Sequence, residues 1–97
     1  LVGPSIIHTH YCDRENPFEL RTILEAAHTA RYDPRAMAQI VLACPQGVMN
    51  EITESKLETE LQAILTTITI KGERWHIAIV KHLRYESFAI TMTTTST

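Results

Sequence analysis

The residues with the clearest capacity for chemistry lie near the N-terminus, at His8, His10 and Cys12. Residues 5–11 are rich in β-branched side chains and predict a short strand. Side chains two positions apart on a strand share a face, so the three would project together. Imidazole and thiolate bind zinc and similar metals, and Asp13 adds a nearby carboxylate. The spacing therefore predicts a divalent-metal site, with zinc or a similar ion as the cofactor.

The sequence His-Thr-His-Tyr-Cys-Asp at residues 8–13 resembles the opening of the polymerase-and-histidinol-phosphatase family of metal-dependent phosphoesterases. In that family a His-x-His pair at a strand end holds catalytic metals. The resemblance spans six residues and implies a metal-dependent hydrolase, or a fragment of one, with His8 and His10 as ligands. The residues also fit a plain strand with two exposed histidines and a buried cysteine. The remaining histidines of the chain are His28, His76 and His82.

A cysteine nucleophile is another interpretation of the same segment. Cys12 precedes a predicted helix, and the positive end of a helix lowers a thiol pKa. His76 or His82 would then act as the base. No glycine-containing signature surrounds Cys12, however, and no Asn or Asp is placed to orient either histidine. The residues therefore favour a protein without catalytic activity.

A second candidate site is the polar face of a predicted C-terminal sheet. Its basic and imidazole residues are Lys71, Arg74, His76, His82 and Arg84. Such a face suits an anionic partner, and sheet faces with exposed aromatic residues bind single-stranded RNA by stacking. Trp75 and Phe88 fall on the opposite, apolar face. The polar face is therefore interpreted either as a solvated surface or as an RNA-binding surface.

DNA binding is not expected from this sequence. Three helices followed by a hairpin suggest a winged helix-turn-helix, whose third helix would enter the DNA groove. That helix is acidic, because one lysine, Lys56, stands beside Glu51, Glu54, Glu58 and Glu60. Carboxylates pressed against phosphates are electrostatically unfavourable. DNA is therefore an unlikely partner.

Two helices are predicted upstream of that acidic one. Asn16-Pro17 supplies an N-cap and a proline suited to the first helical position, and Asp33-Pro34 repeats the signal. An apolar stripe in residues 37–44 predicts that the second helix continues to Cys44 and stops at Pro45. The third helix should begin near Thr53 or Ser55, where Ser55 and Glu58 have capping-box spacing.

The run from Ile64 to Thr95 alternates and predicts three antiparallel strands, turning at Gly72 and near Tyr85. The residues expected to face the core are Ile64, Thr66, Ile68 and Ile70, then Trp75, Ile77, Ile79 and Leu83, then Phe88, Ile90 and Met92. The predicted fold is α+β, with a short N-terminal strand, three helices, and a three-stranded antiparallel meander with the helices packed on one face.

Length and composition agree with one soluble globular domain over residues 1–97. The chain is 44% hydrophobic and 21% charged, which is ordinary for such a domain. No apolar run approaches the roughly 20 residues that cross a bilayer, so no membrane partner is expected. No signal peptide is apparent, and the absence of an initial Met suggests a processed or excised chain. The two cysteines, Cys12 and Cys44, permit one disulfide.

The charge of −2 divides unevenly along the sequence. Residues 1–63 hold five Arg or Lys and nine Asp or Glu, giving −4, whereas residues 64–97 hold four and two, giving +2. A difference of this size is typical of halves that dock on each other rather than of a nucleic-acid footprint.

An open meander leaves sheet edges that need cover. The threonine-rich last strand, which contains Ile90 and Met92, is predicted to offer one such edge for pairing. Our leading expectation is a non-enzymatic protein–protein interaction or assembly domain with a protein partner, for which a second copy of the chain is one candidate. The alternatives are a metal-dependent hydrolase using His8, His10 and Cys12, and an RNA-binding sheet face.

Overall fold

The computed structural model describes residues 6–11, 15–33 and 38–96. Along the chain the elements are β1 (Ile6–Tyr11), α1 (Leu20–Tyr32), β2 (Ala38–Ala43), α2 (Gln46–Met49), α3 (Glu54–Ile68), β3 (Glu73–His82) and β4 (Ser87–Ser96). The strands form one sheet in the order β1-β2-β4-β3. β1 and β2 are parallel, and the other two pairings are antiparallel. The α+β class is confirmed, but the sheet is mixed and four-stranded.

The helices cover one face of this sheet. Parallel pairing of β1 with β2 requires a crossover connection, and α1 supplies it. The apolar side chains that meet between the layers come from α1, β2, α3 and β4: Ile23, Ala26, Ala27, Ala38, Ile40, Leu42, Leu57, Leu61, Leu65, Phe88, Ile90 and Met92. The core residues predicted on the last strand are therefore confirmed. Within the described residues, no helix is both long and apolar enough to cross a membrane.

The predicted second helix is wrong, because residues 38–43 form strand β2. Burial along β2 alternates, with Ala38, Ile40 and Leu42 buried and the residues between them half-buried. A six-residue run that is apolar on both faces fits a helix and a central strand equally well. Pairing with β1 on one side and β4 on the other decides the outcome. The helix start expected at Pro34 lies outside the described residues.

The predicted first strand of the meander is also wrong, because α3 continues to Ile68. The alternation of Ile and Thr after residue 63 resembles a strand pattern. In the helix, three threonines instead donate hydrogen bonds to carbonyls of the preceding turn: Thr66 to Gln62 at 2.8 Å, Thr67 to Ile64 at 2.6 Å, and Thr69 to Leu65 at 2.6 Å. Leu57, Leu61 and Leu65 face the core at four-residue spacing, so burial of that stripe favours the helix.

The predicted start of α1 is wrong and that of α3 is confirmed. α1 begins at Leu20 rather than Pro17, since Pro17 and Phe18 are buried in the core. α3 begins where expected, with Thr53 as its N-cap. The Thr53 hydroxyl accepts a hydrogen bond from the Lys56 backbone N–H at 3.1 Å. This bond satisfies one of the backbone donors that a helix start leaves unpaired.

Replacement of Thr53 by Ala should therefore lower the free energy of unfolding by about 1 kcal/mol, because the capping bond is lost. Chemical denaturation measures this change. Ser55→Ala, an exposed substitution in the first turn of α3, is the matched control and should leave stability within about 0.5 kcal/mol of wild type. Equal losses in the two variants would contradict the capping role.

Candidate interaction site at the sheet edge

Strand β3 forms one edge of the sheet and is the longer of the two edge strands. It has ten residues, all paired with β4, whereas β1 at the opposite edge has six. In the part of the chain that the structure describes, no strand pairs with the other side of β3. The predicted edge was β4, and that prediction is wrong. β4 lies between β2 and β3, so the backbone of residues 87–92, which include Ile90 and Met92, is paired on both sides, whereas residues 93–96 pair with β3.

The faces of β3 differ in their contacts. Trp75, Ile77 and Ile79 are half-buried and pack against the core, as predicted. Ala78 and Val80 point to the uncovered face, where Val80 is 51% exposed. Residues 76–80 include no Lys, Arg, Asp, Glu or Pro, the residues with which natural edge strands prevent pairing. The middle of this edge therefore lacks the usual protection. Leu83, predicted on the core face, lies in the following turn and is 65% exposed.

An ion pair anchors the start of β3 to the helices. Arg31, near the end of α1, donates from Nε to one carboxylate oxygen of Glu73 at 2.8 Å and from Nη2 to the other at 2.9 Å. Nη2 also donates to the Ile68 carbonyl at the end of α3. The Glu73 and Arg31 side chains are 7% and 17% exposed. The guanidinium lies 5.4 Å from the Trp75 ring centroid, within cation–π range.

This geometry shifts both ionisation equilibria towards the charged forms. The hydrogen bonds from Arg31 hold the pKa of Glu73 below its usual value, with a further bond from the Ile70 N–H, while burial opposes the shift. The bonds to Glu73 likewise raise the pKa of Arg31, again against the effect of burial. Each group thus favours the charged form of the other.

The other end of β3 is anchored by a lysine. The Lys81 ammonium donates to the Met49 carbonyl at 3.0 Å and lies 5.7 Å from the Phe88 ring centroid. Glu73 and Lys81 are both on the side of β3 that faces the core. β3 is therefore anchored to neighbouring elements by Glu73 at one end and by Lys81 at the other. Between them lies an uncharged segment whose outer side pairs with no described strand.

The predicted basic residues do not form one compact cluster. Arg74, His76 and His82 project from the exposed face of β3 and span about 27 Å along the strand. Lys71 and Arg84 lie in the turns before and after β3, and both are exposed. The structure thus brings three of the five residues onto one strand face. Lys71 and Arg84 extend the basic surface beyond the two ends of β3.

Two exposed tyrosines border the same end of the sheet. Tyr11 is 80% exposed and Tyr85 is 73% exposed, and both line a shallow cleft of about 260 Å³ with Pro45. The His82 ring stands edge-on to Tyr85 with the centroids 6.2 Å apart. No pattern in the sequence pointed to Tyr11, because only the order of strands brings the end of β1 near the β3–β4 turn.

The predicted metal ligands fall largely outside what the structure describes. β1 aligns His8 with Ile40 and His10 with Leu42, but the His8 side chain and Cys12 are not described. The His10 Nδ1 lies 3.4 Å from a Glu19 carboxylate oxygen. Among the described side chains, no group of three His, Cys, Asp or Glu could hold a metal. The metal site stays a prediction, as does pairing of Cys12 with another cysteine.

The chain matches no family model, no curated protein and no solved structure. Its function must therefore be inferred from its own geometry, in which the free edge of β3 and the uncovered sheet face are the two candidate sites.

The Arg31–Glu73 pair should dominate the stability of this edge. Glu73→Gln leaves a half-buried guanidinium without its counter-charge and should cost about 2 kcal/mol of unfolding free energy at neutral pH. Because the folded-state pKa of Glu73 is lowered, its contribution is present above the unfolded value near 4.5 and is lost as the pH falls through the folded pKa. The difference between wild type and Glu73→Gln should shrink over that acidic range.

Urea unfolding at a series of pH values measures this difference. Glu58→Gln, on the exposed face of α3, is the control and should change stability little at any pH. A constant difference between wild type and Glu73→Gln from neutral to acidic pH would contradict the assignment.

Proposed function

We propose that this chain is a self-associating interaction domain and that two copies join through the edge strand β3. One observation carries the proposal: the edge is ten residues long, and its five central residues include no formally charged residue and no proline. Long, flat and apolar edges are templates for strand addition.

Backbone hydrogen bonding supports the proposal. About half of the N–H and C=O groups of an edge strand point away from its neighbour and have no partner in the sheet. A second strand would satisfy these groups together. β3 is already held straight by ten residues of pairing with β4, so little conformational entropy is lost on association.

Side-chain burial gives a second reason. Trp75, Ile77 and Ile79 are half-buried because the sheet ends at β3, which leaves one flank of each side chain open. A neighbouring strand would place apolar side chains against those flanks, removing further apolar surface from water at about 25 cal/mol per Å². Both effects favour the same edge.

Solution mass tests this function directly. Wild type should be a dimer at concentrations on the order of 10 μM, a range typical of modest interfaces. Ala78→Lys places a charge in the middle of the free edge on the exposed face, and it should weaken association roughly tenfold or more.

Thr9→Lys makes the same exposed change at the opposite edge, on β1, and should leave the dimer intact. Circular dichroism would check that both variants stay folded. A wild-type monomer at this concentration, or a dimer sensitive to Thr9→Lys alone, would contradict pairing through β3.

Single-stranded RNA binding on the uncovered sheet face is the second candidate. The observation favouring it is the exposure of Tyr11 and Tyr85, since exposed aromatic rings are the stacking platforms that RNA-binding sheets use. Arg74 and Arg84 would supply contacts to phosphate. The net charge of −2 works against this function, because nucleic-acid-binding domains are usually basic.

Binding of a fluorescent oligouridine tests the RNA function. Affinity should fall steeply with salt, because each phosphate contact releases a condensed counterion. Arg74→Ala with Arg84→Ala should weaken it further, whereas Arg21→Ala, an exposed change on α1, should not. Absent or salt-independent binding would remove this candidate.

A further inference from the structure

We infer that the two copies pair β3 with β3 antiparallel about a twofold axis at Ile77, so that residue 77 of one copy lies opposite residue 77 of the other. This inference rests on the proposed self-association and specifies its register. The result is a closed dimer with a continuous sheet of twice four strands.

The faces of the sheet restrict the possible registers. A twofold axis perpendicular to the sheet keeps the helix layers of both copies on one side. Residues directly opposite each other must then share a face, and a slip of one residue would place core-facing side chains opposite exposed ones. The twofold axis must therefore lie midway between the two copies of one residue, so that this residue is opposite itself. Centres at Ile77 and Ala78 pair nine of the ten residues, 73–81 and 74–82 respectively.

Charge and side-chain type favour the centre at Ile77. Glu73 and Lys81 are each four positions from Ile77, so each lies opposite the other in the second copy. This alignment brings unlike rather than like charges opposite each other, although Arg31 already neutralises Glu73 within its own chain. Trp75 lies opposite Ile79, an aromatic–β-branched pair of the kind that stabilises neighbouring strands.

The competing centre at Ala78 is less favourable. It places Arg74 opposite His82, so no unlike charges lie opposite each other at the ends of the paired segment. It also places Trp75 opposite Lys81, so Ile77 with Ile79 is its one kind of apolar pair on the core-facing side, whereas the Ile77 register has two, Ile77 with Ile77 and Trp75 with Ile79. No pair in the Ile77 register joins two basic residues.

Single-cysteine cross-linking separates the two registers. Directly opposite residues have Cα atoms about 4.5–5.5 Å apart, which a disulfide spans, whereas residues offset by two positions are about 7–8 Å apart. Ile77→Cys should therefore form a symmetric disulfide dimer under mild oxidation. Ala78→Cys should form roughly tenfold less, because residue 78 would lie opposite His76. Cys12→Ser serves as the parent, and Cys44 is kept because it is buried.

The outcomes distinguish the register from the function. A dimer by solution mass that cross-links at residue 77 and not at 78 supports the inference. A dimer that cross-links preferentially at residue 78, or at neither position, overturns the register and leaves self-association standing. A protein that is monomeric by mass overturns both. The parent must show no disulfide dimer on a non-reducing gel, and variants that fail to dimerise are checked for folding by circular dichroism.

Discussion

The bidentate pair between Arg31 and Glu73 is the interaction on which the rest of the architecture depends. One guanidinium connects the end of α1, the last carbonyl of α3 and the first residue of β3. It also lies against the Trp75 ring. The end of α1 and the consecutive elements α3 and β3 therefore meet at a single charge. Their relative positions fix where β3 begins and how it lies beneath the helices.

The same carboxylate shapes the connection from α3 to β3. Glu73 accepts a hydrogen bond from the Ile70 N–H at 3.2 Å, and the Glu73 N–H donates to the Ile70 carbonyl at 3.0 Å. Gly72 has a φ of 85°, a conformation that residues with a Cβ rarely adopt. Glycine and an anchored glutamate thus reverse the chain in a few residues. The turn delivers β3 antiparallel to β4 with its edge directed away from the sheet.

This arrangement would link folding to the proposed association. Charged anchors at both ends of β3 point towards the helices, so they stabilise the fold without filling the middle of the free edge. The central residues are small or aliphatic, which lets another strand approach closely. An antiparallel self-pairing closes on itself, and the shorter β1 remains the edge of any larger sheet. A dimer formed as proposed would therefore be finite rather than an open fibre.

The sequence alone determined the local features of the fold. The cap at Thr53, the turn at Gly72 and the core side of Ile77 and Ile90 follow from short-range chemistry and from a strand period of two. Only the tertiary structure decided that residues 38–43 are a strand and that α3 extends to Ile68. These segments fit both periodicities, and contacts distant in sequence selected between them.

The same limit applies to the candidate site. The alternating faces of β3 could be read from the sequence, but its place at the edge could not. Strand order depends on which partners β2 and β4 find, and no local signal in 97 residues encodes that choice. Backbone pairing is chemically alike for every strand, so the free edge of β3 is a property of the assembled sheet.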